Sequence, residues 1–546
     1  MSILSAAAMQ TCDRLSVERF GVPSIELMRA ASAAVASFAR ARFPRARRIT
    51  VLCGRGNNGG DGMMAARLLA ASGLEVTTLL LGAREGLEGD AAQAWLELTS
   101  PAHGLIHVVL EAEELPRYNE TLQADLIIDT VVGTGFKPPL KGLARAACEW
   151  LQGSTAPVLA VDLPSGWAAD ETSATVAGPV FPADAVVTFT APKPAHVFGH
   201  LTRGWEQPVV VAPIGSPLAA ITEALNRNPL GLSWAGSSLA LAQVPRAVAA
   251  NKGSFGHVLV VGGSVGKSGA TAMASLAALR AGAGLVTAAV PSPVLALVAA
   301  VAPELMTFPL MASPAGSIAA ENQSPEMLAL LLANKTVLAI GPGLGQSAET
   351  VKFVCGLLSG TKIPAIIDAD ALNILAAKPV LLAKLAKART LVLTPHPGEM
   401  ARLTGKTVAE IQANRLSVAR EFAQRMGVTL VLKGARTLIA HPDGRVAVNT
   451  TGNPGMAKGG SGDLLTGLIA ALVAQHPAEC GRAVEAAVYL HGLAGDLAVR
   501  AGDEHCFLPT DSLSHFSQAF RFRGSGPNGY VWLQGLPTAA SHEEDQ

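Results

Sequence analysis

Aromatic residues are scarce in this chain, 4% of 546 residues. A core of that composition is filled by small aliphatic side chains, and the abundance of Ala and Gly fits helices packed closely on sheets, as in an α/β enzyme. Net charge is also lacking. Lys plus Arg and Asp plus Glu are both 42, so no global field attracts nucleic acid or an anionic membrane, and neither is expected as a partner. Cysteine is sparse and unpatterned. Cys12, Cys53, Cys148, Cys355, Cys480 and Cys506 show no paired ligand spacing and no compact disulfide framework, and they read as reduced thiols in the cytoplasm. No basic stretch precedes an apolar one at the N-terminus, so no signal peptide is expected. The uncharged run 281–303 is long enough to raise a membrane helix, but Pro291, Ser292 and Pro293 split it into an expected strand, Leu285 to Val290, and a helix. The length favours two or more domains.

What is abundant is glycine at the ends of apolar strands. The stretch from Asn453 to Gln475 opens with glycines and small polar residues, then places Leu464, Leu465, Leu468, Ile469 and Leu472 at helical spacing. The Gly459-Gly460-Ser461-Gly462 loop can turn several backbone N–H groups towards one anion. Asp463 follows in the first turn. An isolated aspartate there is more often a helix cap. The loop, headed by Lys458, favours instead a carboxylate beside a bound phosphate, able to take a proton from an attacking hydroxyl.

A second glycine loop follows the strand Arg48 to Cys53: Gly54, Gly56, Gly59, Gly60 and Gly62, leading to a helix at Met63 to Ala71. Gly54 to Gly59 matches the dinucleotide pattern G-x-G-x-x-G, a weak signal alone, and the strand to Leu81 ends in Gly82-Ala83 where that reading expects an acid. Asn57, Asn58 and Asp61 suit an alkali cation or a polar substrate group better. Two further strands end in acids, Asp129 and Asp162, where open α/β sheets bind ligands; loop capping is the bland alternative for each. Asp162 is the candidate for proton transfer, and Asn58, Asp129 and Ser165 are a set able to share a cation. Lys193 and His196 follow the next strand, with substrate contact and solvated loop roles equally open.

GRGNNGGDG, IIDTVVGTGF and VDLPSGW resemble the epimerase domain of the bifunctional NAD(P)H-hydrate repair enzymes. The resemblance implies a Rossmann-like fold in which Asn57, Asn58, Gly59, Gly60 and Asp61, with Gly133, Thr134, Gly135, Phe136, Lys137, Pro138 and Pro139, bind the hydrated nucleotide. Asp162 matches the substrate-contacting acid, and Asn58, Asp129 and Ser165 match potassium ligands. One departure is visible: the family usually reads Glu-Asn after Leu-Met, where this chain has Arg29-Ala30.

In the second half a Gly-Lys-Ser at Gly266 to Ser268 is not a P-loop, because the glycine required five positions earlier is Val261. Strands instead run into GPGLG at Gly341, DADALN at Asp368, TPHPGE at Thr394 and KGART at Lys433. The acids of DADALN support Mg2+ ligation weakly. With KGSFGHVLVVGG, LRAGAGLV and NPGMAKGGSGD, these motifs stand in the order of the ADP-dependent NAD(P)HX dehydratase of the same family, a ribokinase-like fold. The resemblance implies that Ala270, Gly343, His396 and Asp463 contact the hydrated nicotinamide nucleotide, and that Lys433, Gly434, Ala435, Arg436, Thr437 and Gly462 hold ADP with Mg2+.

The expected architecture is two three-layer α/β/α domains: 1–216 as the epimerase, 217–244 as a linker, 245–520 as the dehydratase, and 521–546 as a mobile tail. A homo-oligomer is expected from the Ala-rich surfaces. A sugar or vitamin kinase fused to an unrelated domain would differ by leaving a stable phosphorylated product, and a nucleotide sensor by lacking turnover.

Overall fold

Short aliphatic strands alternate with helices from the start: β1 (Arg48–Cys53), β2 (Glu75–Leu81), β3 (Leu105–Val109), β4 (Leu126–Thr130), β5 (Val158–Val161), β6 (Ala185–Phe189) and β7 (Val209–Ala212). They pair in parallel in the order β3-β2-β1-β4-β5-β6-β7. Successive residues face opposite sides. Val51, Cys53 and Ile128 enter one core with the helices Ser24–Arg42 and Asn57–Ala71, while Leu52, Ile127 and Val158 enter another with Gly142–Leu151. Burial on both faces explains why these strands read as continuous apolar runs. The order reverses between β1 and β4, which opens a crevice at the strands' C-terminal ends.

The computed structural model describes residues 1–99, 103–526 and 528–537. It divides into two units, Met1–Leu230 with the stretch from Arg523, and Gly231–Phe522. The second unit contains β8 (Leu232–Trp234), β9 (His257–Val261), β10 (Leu285–Pro291), β11 (Met306–Leu310), β12 (Val337–Ile340), β13 (Ala365–Ile367), β14 (Leu391–Leu393), β15 (Thr429–Leu432), β16 (Leu438–Ala440) and β17 (Val446–Val448). Their order is β11-β10-β9-β12-β13-β14-β15-β16-β17-β8. The reversal here lies between β9 and β12. β16 and β17 pair antiparallel, and 281–303 is a strand followed by short helical turns as expected.

Three expectations change. The helix after the first glycine loop begins at Asn57, not Met63, so Asn57 to Asp61 form its first turns. Its glycines allow close backbone approach: a Cβ on Gly59 would lie 1.9 Å from Gly54 O, and one on Gly62 would lie 2.1 Å from Thr130 Oγ1. The stretch 217–244 is not a featureless linker. It holds the helix Leu218–Arg227, whose Ala220 and Ala224 pack with Leu4, Ala8 and Cys12, and then β8, which pairs with β17.

The segment expected as a mobile tail contributes β18 (Val531–Gln534), antiparallel to β7 in the first sheet. Trp532 and Tyr530 lie with ring centroids 6.2 Å from Phe38, and the Tyr530 hydroxyl donates to Ala34 O at 3.0 Å. The acidic end, Glu543 to Asp545, lies outside the described residues. Trp532→Ala is expected to lower the unfolding free energy of the first unit by about 3 kcal/mol in a denaturant titration, because it empties an aromatic contact in the core.

Candidate functional site

In the first unit the strand ends line a cavity of about 1260 Å³. It receives Asn57, Asn58 and Asp61 from the helix after β1, Gly133, Thr134, Gly135 and Phe136 after β4, Asp162 after β5, and Lys193 after β6. Gly59 and Gly60 are buried behind this lining, and Lys137, Pro138 and Pro139 do not form part of it. Gly133 is required where it stands: a Cβ there would lie 3.0 Å from Asp162 Oδ2 and 3.1 Å from Asn58 Cγ.

Asp162 is buried and carries positive φ of 67°. Its Oδ1 accepts from Lys193 Nζ at 3.0 Å and Thr188 Oγ1 at 2.9 Å, and its Oδ2 accepts from the Thr134 amide at 2.7 Å and hydroxyl at 2.6 Å. Burial opposes its charge, but Lys193 and these hydrogen bonds prevail and hold it well below the usual carboxylate range. Lys193, 2% exposed, is thus a site residue whose role the sequence left open. His196 braces the same turn, its Nε2 2.6 Å from Asp162 O, and burial with Lys193 lowers it to about 4, so it is neutral.

Two acids facing this ion pair behave oppositely. Burial raises Asp13 to about 6, with Asp162 adding and Lys193 opposing. Burial and the charges of Asp162, Asp13 and Asp90 raise Asp61 well above its ordinary value. The cavity therefore places carboxyls of raised proton affinity beside one held ionised, the arrangement from which acid and base roles are divided. Asp13 comes from the first helix, Ala6–Glu18, and no motif singled it out.

Below the cavity, Asp129 is fully buried and accepts from Ser165 N at 2.8 Å, Ser165 Oγ at 2.6 Å and Val131 N at 3.1 Å. Burial raises it to about 6, with these hydrogen bonds opposing. Asn58 Nδ2 is buried without a hydrogen-bond partner among the described residues. A carboxylate without a lysine or arginine partner, a hydroxyl and an amide whose orientation is not fixed by hydrogen bonds are a donor set that fits a monovalent cation. Arg29, where the family pattern has Glu, pairs with Glu26 at 2.6 Å and Glu97 at 2.7 Å.

In the second unit the same construction recurs. Asp368, at the end of β13 and 1% exposed, accepts from Lys433 Nζ at 2.8 Å, Thr394 Oγ1 at 2.8 Å and Thr466 Oγ1 at 2.7 Å. Burial opposes its charge, and Lys433 with the hydroxyls lowers its pKa nonetheless. Lys433 also lies 3.9 Å from Glu399, and a Cβ on Gly462 would approach Lys433 Nζ to 3.3 Å. The helix Ser461–Gln475 starts where Gly460 takes φ of 99°, with Asp463 in its first turn. Burial and the Asp368 charge raise Asp463 to about 7, against Lys433.

His396 Nδ1 accepts from Gly398 N at 3.0 Å, its Nε2 lies 3.5 Å from Glu399 Oε1, and burial with Lys433 lowers its pKa. Ala270 and Gly343 adjoin, since a Cβ on Gly343 would lie 3.2 Å from Ala270 Cβ. One turn beyond Ala270, Met273 touches the Gly460 position. Arg415 braces the KGART turn through Ala435 O at 2.6 Å, and Arg436 Nη1 donates to Thr450 O at 3.1 Å. Thr437 Oγ1 donates to Gly434 O at 2.8 Å. Asp370 is taken up by Gly345 N and Gln346, so of the DADALN acids only Asp368 joins the site. Among the described residues no three His, Cys, Asp or Glu side chains form a metal cluster.

Comparison with known proteins gives two family models, "YjeF-related protein N-terminus" over residues 24–195 and "NAD(P)H-hydrate dehydratase" over residues 258–517. The bifunctional NAD(P)H-hydrate repair enzyme Nnr of Moorella thermoacetica is 43% identical over 530 residues, covering 95% of this chain and 97% of that protein. The enzyme of the same name from Coxiella burnetii is 37% identical over 92% of this chain and 96% of that one. Among solved structures, a ribokinase-like superfamily protein of Enterococcus faecalis is 29% identical, with TM-score 0.46, over 54% of this chain and 96% of that chain.

Lys193→Met is expected to cost about 3 kcal/mol in denaturant unfolding, because Asp162 would be left charged and buried without its partner.

Proposed function

The chain belongs to the family of bifunctional NAD(P)H-hydrate repair enzymes, and we propose from that premise how its two units divide the work. The activity is twofold, NAD(P)H-hydrate epimerase and ADP-dependent NAD(P)H-hydrate dehydratase. The first unit carries the epimerase and the second the dehydratase in this reading, as the two matched segments suggest.

The observation that carries the dehydratase assignment is Asp463, poised near neutrality at the mouth of a glycine loop, beside an aspartate held ionised by Lys433. Asp463 takes the proton from the ring hydroxyl, whose oxygen attacks the terminal phosphorus of ADP as the bond to AMP breaks. The ring then carries phosphate in place of hydroxide, a far better leaving group. Loss of phosphate together with a proton from the adjacent carbon restores the double bond. The Gly459 to Gly462 amides face the transferring phosphoryl, His396 Nε2 donates to the nicotinamide nucleotide near Ala270 and Gly343, and Lys433 to Thr437 border the ADP. Mg2+ bound with the ADP phosphates would neutralise charge there.

In the epimerase, Asp162 contacts the hydroxyl-bearing ring. Its saturated hydrogen bonds make it a poor proton store, and Asp61, its proton affinity raised by burial and by Asp162, gives a proton to the hydroxyl that departs as water and regains one when water adds to the other face. K+ would sit among Asn58, Asp129 and Ser165 and hold the loops after β4 and β5. A cytoplasmic homo-oligomer completes the reading, supported by Ala-rich helices and six free cysteines.

The test incubates the protein with mixed R and S NADHX, ADP, Mg2+ and K+ and follows the returning near-ultraviolet absorbance, with spontaneous epimerisation subtracted. Both epimers should be recovered. Asp463→Asn should slow dehydration at least about a hundredfold, and Asp162→Asn should slow recovery of one epimer only. Failure of recovery with ADP and with ATP would overturn the reading. For wild type, dehydratase kcat/KM should rise with pH through about 7 as Asp463 loses its proton. Replacing K+ by a tetraalkylammonium ion should depress epimerisation and spare dehydration.

A further inference from the structure

The strand order of the first sheet fixes how a dinucleotide lies on it. In open sheets of the order β3-β2-β1-β4 a dinucleotide lays its diphosphate at the start of the helix after β1, here Asn57–Ala71, its adenosine half over the ends of β2 and β3, and its nicotinamide half towards β4 and β5. The cavity spans both sides, from Leu81, Gly82 and Ala83 after β2 to Gly133 and Asp162 after β4 and β5. Because the reacting groups lie on the β4–β5 side, the adenosine ribose falls over Gly82-Ala83. In sites selective for the unphosphorylated nucleotide an acid stands there, bonding the ribose 2′-hydroxyl and repelling a 2′-phosphate. Here that position has no side chain to offer.

Arg55 occupies the space instead. It leaves the turn between Gly54 and Gly56 and lies across two glycines: a Cβ on Gly82, where φ is 123°, would come 2.9 Å from Arg55 Cδ, and one on Gly86 would come 2.8 Å from Nη1. A side chain at either glycine would displace the guanidinium. Arg84 nearby is neutralised by Glu85 at 2.7 Å, whereas Arg55 is exposed and makes no ion pair among the described residues. Asp90 and Glu111 also line the cavity, but neither follows β2.

We propose that Arg55 is a specificity residue that grips the ribose 2′-phosphate, so that the first unit prefers hydrated NADPH to hydrated NADH. A planar guanidinium matches a phosphate through paired N–H donors. The assignment rests on the epimerase reading of the first unit.

The experiment uses the full chain without ADP, with R-NADPHX and R-NADHX as separate substrates, and measures formation of the S epimer chromatographically above the spontaneous rate. Arg55→Ala should lower kcat/KM for NADPHX by about tenfold or more, through KM, with NADHX unchanged. Arg55→Lys should retain part of the preference, because the charge remains while the fork is lost. Equal losses on both substrates, or no change, would overturn the assignment. Calorimetric binding of 2′,5′-ADP decides independently of turnover: weaker binding to Arg55→Ala than to wild type supports it, and equal binding refutes it. Discrimination of 2′,5′-ADP in a protein that epimerises neither substrate would overturn the epimerase reading and leave the Arg55 assignment standing.

Discussion

A buried carboxylate at the end of a parallel strand is costly unless a cation reaches it, and both units meet that constraint in the same way. Asp162 after β5 is held by Lys193 at 3.0 Å, and Asp368 after β13 by Lys433 at 2.8 Å. In each case the lysine follows another strand of the same sheet, and threonine hydroxyls occupy further carboxylate lone pairs. Removing either partner would leave an uncompensated charge in the interior. The fixed negative charge then acts on its neighbours. Burial first, and this charge after it, raise Asp61 in the first unit and Asp463 in the second, so that a second carboxylate keeps its proton to a higher pH than it would alone.

Glycine makes these arrangements possible by removing bulk. Gly133 lets Asn58 and Asp162 approach one another, and Gly462 leaves room for the Lys433 ammonium. Gly59 and Gly62 seat the helix Asn57–Ala71 directly on the Gly54 backbone just after β1 and on the side chain of Thr130. Only some of these glycines adopt left-handed backbone. Gly460, at φ 99°, turns the chain into the helix that carries Asp463.

Much of this was legible in the sequence, because strands buried on both faces are short aliphatic runs that end in polar loops. The bounds of β1, Arg48 to Cys53, follow from the sequence directly. Asp162 and His396 stand at such ends, and Asp463 in the first turn of the helix after a glycine loop, where periodicity and turn chemistry point to them. What escaped depends on contacts between distant residues. Lys193 meets an acid 31 positions earlier, with no spacing rule to link them. Asp13 faces the cavity from a helix that looks like any amphipathic segment. β18 is flanked by Gly524, Gly526 and Gly529, which read as loop, and its partner β7 lies some three hundred residues upstream. The acids of DADALN look equivalent in sequence, yet Asp370 bonds a loop and Asp368 anchors the site.

Burial and, after it, the Asp368 charge clamped by Lys433 set the proton affinity of Asp463. The most direct measurement is a carbon-detected NMR titration of the Asp463 carboxyl in wild type and in Asp368→Asn. The account predicts a midpoint near 7 in wild type and a lower one in the variant, since the raising charge is gone and Lys433, left with Glu399 and Asp463, acts more strongly on Asp463. A wild-type midpoint in the ordinary aspartate range, or one that does not move in the variant, would contradict it.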